Sequence, residues 1–166
     1  MMNSTDYNDD NIPSFFLNYE YFSLAWGKKH RGYFLDPVNG LFMEYENPYD
    51  WYFFMSSEKF SGNCFWGYEK DGVIHRKLLF SNIRRASQKT IPPTMHPMDL
   101  NKIEADLDAS GFDDSGGACD MGVTSYTLLI YDPTKDIYRR KILKTKGDSC
   151  LTSKSSYTQE LLSYFK

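Results

Sequence analysis

Cysteine is scarce in this chain of 166 residues, and what there is follows no pattern. Cys64, Cys119 and Cys150 show no CxxC spacing, and an odd number of thiols closes no disulfide framework. Histidine is equally sparse. His30, His75 and His96 fall in a predicted turn, on a strand face and in a proline-flanked loop, so a pairing of one of them with Cys64 reads as structural rather than catalytic. Long apolar runs are missing too: no window approaches the ~18 consecutive apolar residues of a membrane helix. The start, Met1 to Asp6, has neither the basic nor the apolar region of a secretory signal, so the expected compartment is the cytoplasm. There is no excess of positive charge. With 19 Lys and Arg against 22 Asp and Glu the net charge is −3, which argues against a general nucleic-acid binder. Catalytic motifs are absent as well. The chain contains no G-x-S-x-G, Walker loop, H-E-x-x-H or G-x-G-x-x-G. Ser56-Ser57-Glu58-Lys59 holds an S-x-x-K tetrad, but the S-D-N and K-T-G elements that give it meaning do not occur, so it is a chance match. No catalytic residue, metal or cofactor is expected.

What the chain does have is aromatic side chains. Thirteen Tyr, twelve Phe and three Trp make up 17% of it, and 20 of these 28 lie between residues 15 and 80. Disorder is excluded, because 41% hydrophobic and 25% charged residues suit a globular core. The aromatic stretch is punctuated by turn chemistry at Gly27–Gly32, Asp36-Pro37-Val38-Asn39-Gly40, Asn47–Asp50 and Lys70-Asp71-Gly72. Between these breaks lie strand-sized segments such as Leu41–Glu46 and the alternating Val73–Phe80, which predict an antiparallel meander.

Asn82–Thr90 is polar and basic. Leu100, Ile103 and Leu107 then recur at helical spacing, with Pro97 at a first helical position, Asp99 near the positive end of the dipole and Gly111 as a stop. A helix over about 97–110 is predicted. Val123–Tyr131 and Ile137–Lys144 predict a hairpin about Asp132-Pro133-Thr134-Lys135-Asp136, whose open end would bring Cys119 and Cys150 nearly opposite each other. Buried free thiols and a Cys119–Cys150 disulfide both remain open. Ser156-Tyr157-Thr158-Gln159 reads as a capping box opening a last helix over 156–165. The expected fold is therefore α+β: an antiparallel meander sheet extended by a C-terminal β-hairpin, with two short helices packed on one face. Residues 1–14 are expected to be a flexible arm and 15–166 a single domain.

Asp106–Phe112 matches the first seven positions of an EF-hand loop, but Asp113 stands at position 8 and Gly117 at position 12, where an apolar residue and a bidentate Glu belong. No calcium site is expected. The charge is segregated into blocks. Residues 1–50 carry eight acids and three bases, 51–98 three acids and seven bases, 99–120 seven acids and one base, and 135–166 three acids and eight bases. Opposite blocks either face each other or leave a one-sign surface that steers a partner. On the second reading Asp106, Asp108, Asp113, Asp114 and Asp120 form an acidic rim beside Ser115–Gly117, fitted to a basic cleft. Tyr49, Trp51 and Trp66 are the aromatic anchors expected to bind a protein partner. Asp36, Glu44, Glu46 and Asp50 beside the aromatics disfavour a phosphate backbone.

In size, acidity and lack of a catalytic signature the chain resembles small bacterial immunity proteins, which neutralise a cognate toxin by occluding its active cleft. No motif carries the resemblance and no family residue is transferred. It implies a non-enzymatic inhibitor, monomeric when free, whose partner is a basic toxin domain. The alternative is a small enzyme or ligand carrier with an aromatic-lined pocket.

Overall fold

Phe15 to Ser23 is buried on both of its faces, with seven of its nine residues buried. A strand of that kind belongs in the middle of a sheet covered on both sides. The computed structural model describes residues 7–23, 29–46, 73–92, 98–118 and 121–165. In it β1 (Phe15–Ser23) lies between β2 (Lys29–Asp36) and β7 (Val123–Asp132), antiparallel to both. The other strands are β3 (Leu41–Glu46), β4 (Val73–His75), β5 (Ser87–Thr90), β6 (Phe112–Asp114), β8 (Ile137–Gly147) and β9 (Leu151–Ser153). Among the described residues these make one nine-stranded sheet in the order β5-β3-β2-β1-β7-β8-β9-β6, with β4 also paired to β8. The helices are α1 (Arg76–Arg85), α2 (Leu100–Ser110) and α3 (Thr158–Leu162).

Alternation along the strands sorts the core into two clusters. The front cluster joins Phe15, Leu17, Leu35, Leu128, Ile130 and Leu143 of the sheet to Ile103 and Leu107 of α2 and Leu161 of α3. The back cluster joins Phe16, Phe34, Met43, Leu129 and Tyr138 to Leu79, Phe80 and Ile83 of α1 and to Tyr7. A helix of five residues has no stability of its own, so α3 is held by the burial of Leu161.

The α+β class, the antiparallel sheet and the hairpin about 132–136 are present, and the strands of that hairpin run slightly further than predicted, to Asp132 and Gly147. Helix α2 begins at Leu100, where the Asp99 side chain accepts the Lys102 N–H at 3.2 Å. Several local expectations differ. Val73–Phe80 is a strand only as far as His75, because Leu79, Phe80 and Ile83 recur at helical rather than alternate spacing and enter the back core. The start of α1 is pinned by the Arg76 guanidinium, which grips both carboxylate oxygens of Asp136 in the β7–β8 turn. The break expected at Gly27–Gly32 does not extend past residue 28, since Lys29 to Gly32 belong to β2. The capping box at Ser156 does not form; Tyr157 is the N-cap, and Ser155 Oγ accepts its N–H at 3.2 Å. Within the segment expected to be a free arm, Tyr7 is fully buried and donates its hydroxyl to Asp36 at 2.6 Å. The Pro13 carbonyl accepts from Tyr138 at 2.6 Å. The polar stretches around 113 and 152 supply β6 and β9, which were not predicted.

The acidic and basic blocks face each other. Glu104 of α2 accepts two hydrogen bonds from Arg139 of β8, at 2.7 and 2.8 Å, and lies 3.4 Å from Lys141. Asp132 takes a third bond from Arg139 at 2.7 Å, and Asp108 pairs with Lys141 at 2.9 Å. The Arg139 fork, with Lys141 beside it, holds the Glu104 carboxyl below its usual 4.5. The stabilisation is therefore complete above that value and fades as the pH falls through the lowered native one. Glu104→Gln is expected to lower stability at neutral pH by about 1–2 kcal/mol. Urea unfolding followed from neutral pH to about pH 3 should show the gap between variant and wild type closing as Glu104 protonates. A gap constant with pH would mean that the loss comes from packing.

Candidate functional site

Two polar arrangements stand back to back on the sheet, one buried and one open. The buried one lies on the back face, where β1 places Glu20 after Phe16 and Asn18. Glu20 is fully buried and its Oε2 lies 2.7 Å from His30 Nε2, itself 2% exposed. Arg140 of β8, 1% exposed, brings Nη2 to 3.9 Å from Glu20 Oε1. The Tyr45 hydroxyl is 3.5 Å from Glu20 Oε2 and accepts from Asn18 Nδ2 at 3.2 Å. Burial, and then the Glu20 carboxylate, push the Tyr45 phenol well above its ordinary value, so it stays protonated and is no nucleophile or base at neutral pH. Gly32 makes this arrangement possible. A Cβ there would come within 2.7 Å of the Tyr45 hydroxyl oxygen and 2.9 Å of its ring, and closer still to the Tyr19 carbonyl.

The open arrangement lies on the front face. Directly opposed residues form a row across eight strands: Ser87, Glu44, Tyr33, Tyr19, Tyr126, Lys144, Thr152 and Asp113. The neighbouring row runs Glu46, Arg31, Tyr21, Thr124 and Lys146. In each central strand the front face changes character along its length. It goes from Phe15 and Leu17 to Tyr19 and Tyr21, from Leu35 to Tyr33 and Arg31, and from Leu128 to Tyr126 and Thr124. The aliphatic ends lie in the front core with α2. The tyrosines mark the margin of that core, and the charges lie beyond it.

The first row from Ser87 to Lys144, with Glu46, Arg31 and Lys146 of the second, lines a groove of about 1140 Å³, with Gln159, Leu162 and Phe165 along one wall. Tyr19 and Tyr33 stack at 4.9 Å between ring centroids, and Tyr126 meets Tyr19 edge-on at 5.4 Å and Phe165 at 5.2 Å. Arg31 lies 5.0 Å above the Tyr21 ring and Lys146 5.8 Å from Tyr126. Glu44 and Glu46 stand at the β3 end, Lys144 and Lys146 at the β8 end. Such a groove can hold a ligand by aromatic contact and orient it by charge; its described residues include no nucleophile–base pair.

The expected acidic rim is largely engaged. Asp108 is paired with Lys141, Asp106 accepts from the Ser155 hydroxyl, and Asp113 lies 3.7 Å from Lys154. Asp114 accepts the Gly116 N–H at 2.9 Å. The glycine-rich loop is tied to the chain after β8, with Ser115 N–H donating to the Cys150 carbonyl and Ala118 N–H to that of Gly147, both at 3.0 Å. Of the rim residues Asp108, Asp113 and Asp114 are exposed, and Asp106 is half-buried. Asp106 and Asp108 lie in the last turns of α2 with different partners, so the oxygens of the EF-hand match do not converge. Among the described residues no group of three or more His, Cys, Asp or Glu side chains could hold a metal ion. The Cys150 sulfur lies 3.6 Å from the Gly147 carbonyl, and among the described residues it has no disulfide partner. Cys119, Asp120, Tyr49, Trp51, Trp66, Cys64 and His96 lie outside the described residues.

Of the residues that build the groove only Glu44 and Glu46 were singled out from sequence, and not as a binding site. The signal for the others was the aliphatic-to-tyrosine change on alternate positions of three separate strands. No family model, curated protein or solved structure matches this chain. Among the described residues no helix is long and apolar enough to cross a membrane.

Proposed function

We propose that this chain is a non-catalytic protein-binding module of the inhibitor kind, and that its partner seats in the tyrosine-floored groove. The observation that carries this reading is the row Glu44–Tyr33–Tyr19–Tyr126–Lys144, half-buried aromatics set between rims of opposite charge. Tyrosine supplies contact area with little side-chain entropy to lose, which is why it anchors interfaces. The polar groups best placed for acid–base work, Glu20 and His30, lie buried behind the sheet, away from the groove. A cytoplasmic location goes with this reading.

A second reading keeps the immunity-type mechanism at the acidic rim, where Asp113 and Asp114 are exposed. One experiment separates the two. The wild-type domain, Tyr126→Ser and Asp113→Lys are each used as bait in a lysate of the source cells, and captured proteins are quantified by mass spectrometry. A protein captured stoichiometrically by the wild type is expected to fall at least tenfold on Tyr126→Ser and to persist on Asp113→Lys. The reverse pattern would move the site to the rim. Circular dichroism of each bait shows whether it is folded.

A further inference from the structure

We infer that the groove recognises an extended peptide segment of about six residues carrying a cationic side chain at one end and an anionic one at the other. This rests on the groove being the binding site and names what it takes. Glu44 and Lys144 lie on the same row, four strand intervals apart. At ~4.8 Å per interval the two rims are about 19 Å apart. Glu46 and Lys146 stand at the same two ends of the neighbouring row, where Arg31 opposite Glu46 offsets part of its charge and leaves Glu44 the principal anion of that rim.

A single amino acid or other small zwitterion is far too short to touch both rims. An extended peptide rises ~3.3 Å per residue, so six residues span the gap. The volume of about 1140 Å³ also exceeds the ~300–1,000 Å³ of ordinary small-molecule sites. A nucleic-acid strand would set a phosphate against Glu44 and Glu46. The Tyr19 and Tyr33 rings stack on each other at an interplanar angle of 14°, an arrangement that packs against side chains along the floor instead of offering one flat platform to a sugar. Charge complementarity at both ends thus selects an amphoteric peptide laid across the strands.

The test uses fluorescein-labelled hexapeptides with capped ends, four neutral central residues drawn at random, and terminal side chains Lys/Glu, Glu/Lys, Lys/Lys or Glu/Glu. Anisotropy titrations against the wild-type chain are expected to show at least tenfold tighter binding for a mixed-charge pool than for either like-charge pool. The variant carrying Glu44→Lys with Glu46→Lys, both at exposed positions that contribute little to folding, should transfer the preference to the Glu/Glu pool. Equal binding of all pools that is lost in Tyr126→Ser would overturn the charge pattern and leave the groove standing as the site. Binding indifferent to Tyr126→Ser would overturn both, and no binding by any peptide would overturn the peptide while leaving the groove to the capture experiment. A thymidine hexanucleotide that binds more tightly than every peptide pool would assign the groove to single-stranded nucleic acid and overturn the peptide.

Discussion

Replacing Glu20 with Ala is expected to cost about 3–5 kcal/mol. The carboxylate is fully buried, with His30 at 2.7 Å and Arg140 at 3.9 Å, and neither of those is more than 2% exposed. Deleting the carboxylate leaves the buried Arg140 guanidinium with less negative charge to balance it and takes the 2.7 Å contact from His30, a penalty that exceeds the loss of one hydrogen bond. The Tyr45 hydroxyl and Asn18 also pack into this cluster, so the damage should spread to β3. Glu20→Gln keeps the shape and a polar contact to His30 but loses the charge, and should fall between the wild type and Ala. Urea denaturation measures both, and a double-mutant cycle with His30→Ala should return a coupling of roughly 1–3 kcal/mol. A loss below about 1 kcal/mol for Glu20→Ala would mean that the carboxylate contributes no more than an exposed pair does.

Gly32→Ala is the second large effect, at about 3 kcal/mol. Adding one methyl group to a strand is ordinarily mild, so a cost of this size reports a specific clash. At Gly32 the new Cβ would meet the Tyr45 hydroxyl oxygen at 2.7 Å and the Tyr19 carbonyl at shorter range. A side chain can swing aside, but a backbone carbonyl in the middle of a paired strand cannot move without disturbing the β1–β2 ladder. Tyr45→Phe alone removes only a hydroxyl and should cost about 1 kcal/mol. Combining it with Gly32→Ala should not restore stability, because the Tyr19 contact remains. Rescue by Tyr45→Phe would show instead that the phenol oxygen is the whole obstacle. Because Tyr19 lines the groove and its carbonyl would have to shift, Gly32→Ala should also weaken partner capture.

The pattern of expectations that held follows the range of the forces involved. The hairpin about Asp132–Asp136 was legible because a turn sequence and two alternating runs lie within 25 residues. Helix α2 was legible because Asp99, Leu100, Ile103, Leu107 and Gly111 carry its start, buried face and stop inside one short segment. Val73–Phe80 misled because Ile74, Leu78 and Phe80 satisfy a period of two; Leu79 and Ile83 decide for a helix only once the back core exists to bury them. Gly32 read as a turn because a glycine's sequence neighbours do not reveal that Tyr45 needs the space above it. The acidic block read as a free surface because Arg139 and Lys141, more than 30 residues away, are what neutralise Glu104 and Asp108.

By itself, then, the sequence determined the α+β class, the absence of known catalytic motifs, the hairpin and the capped helix, all set by turn chemistry and periodicity within a few residues. Tertiary structure alone decided that β1 is flanked by β2 and β7. It decided that Glu20 meets His30 and Arg140 behind the sheet, and that Tyr33, Tyr19 and Tyr126 fall in one row between Glu44 and Lys144. The physical reason is register. Which residue stands opposite which depends on burying Leu17, Leu35 and Leu128 together, and that constraint joins strands more than 100 residues apart.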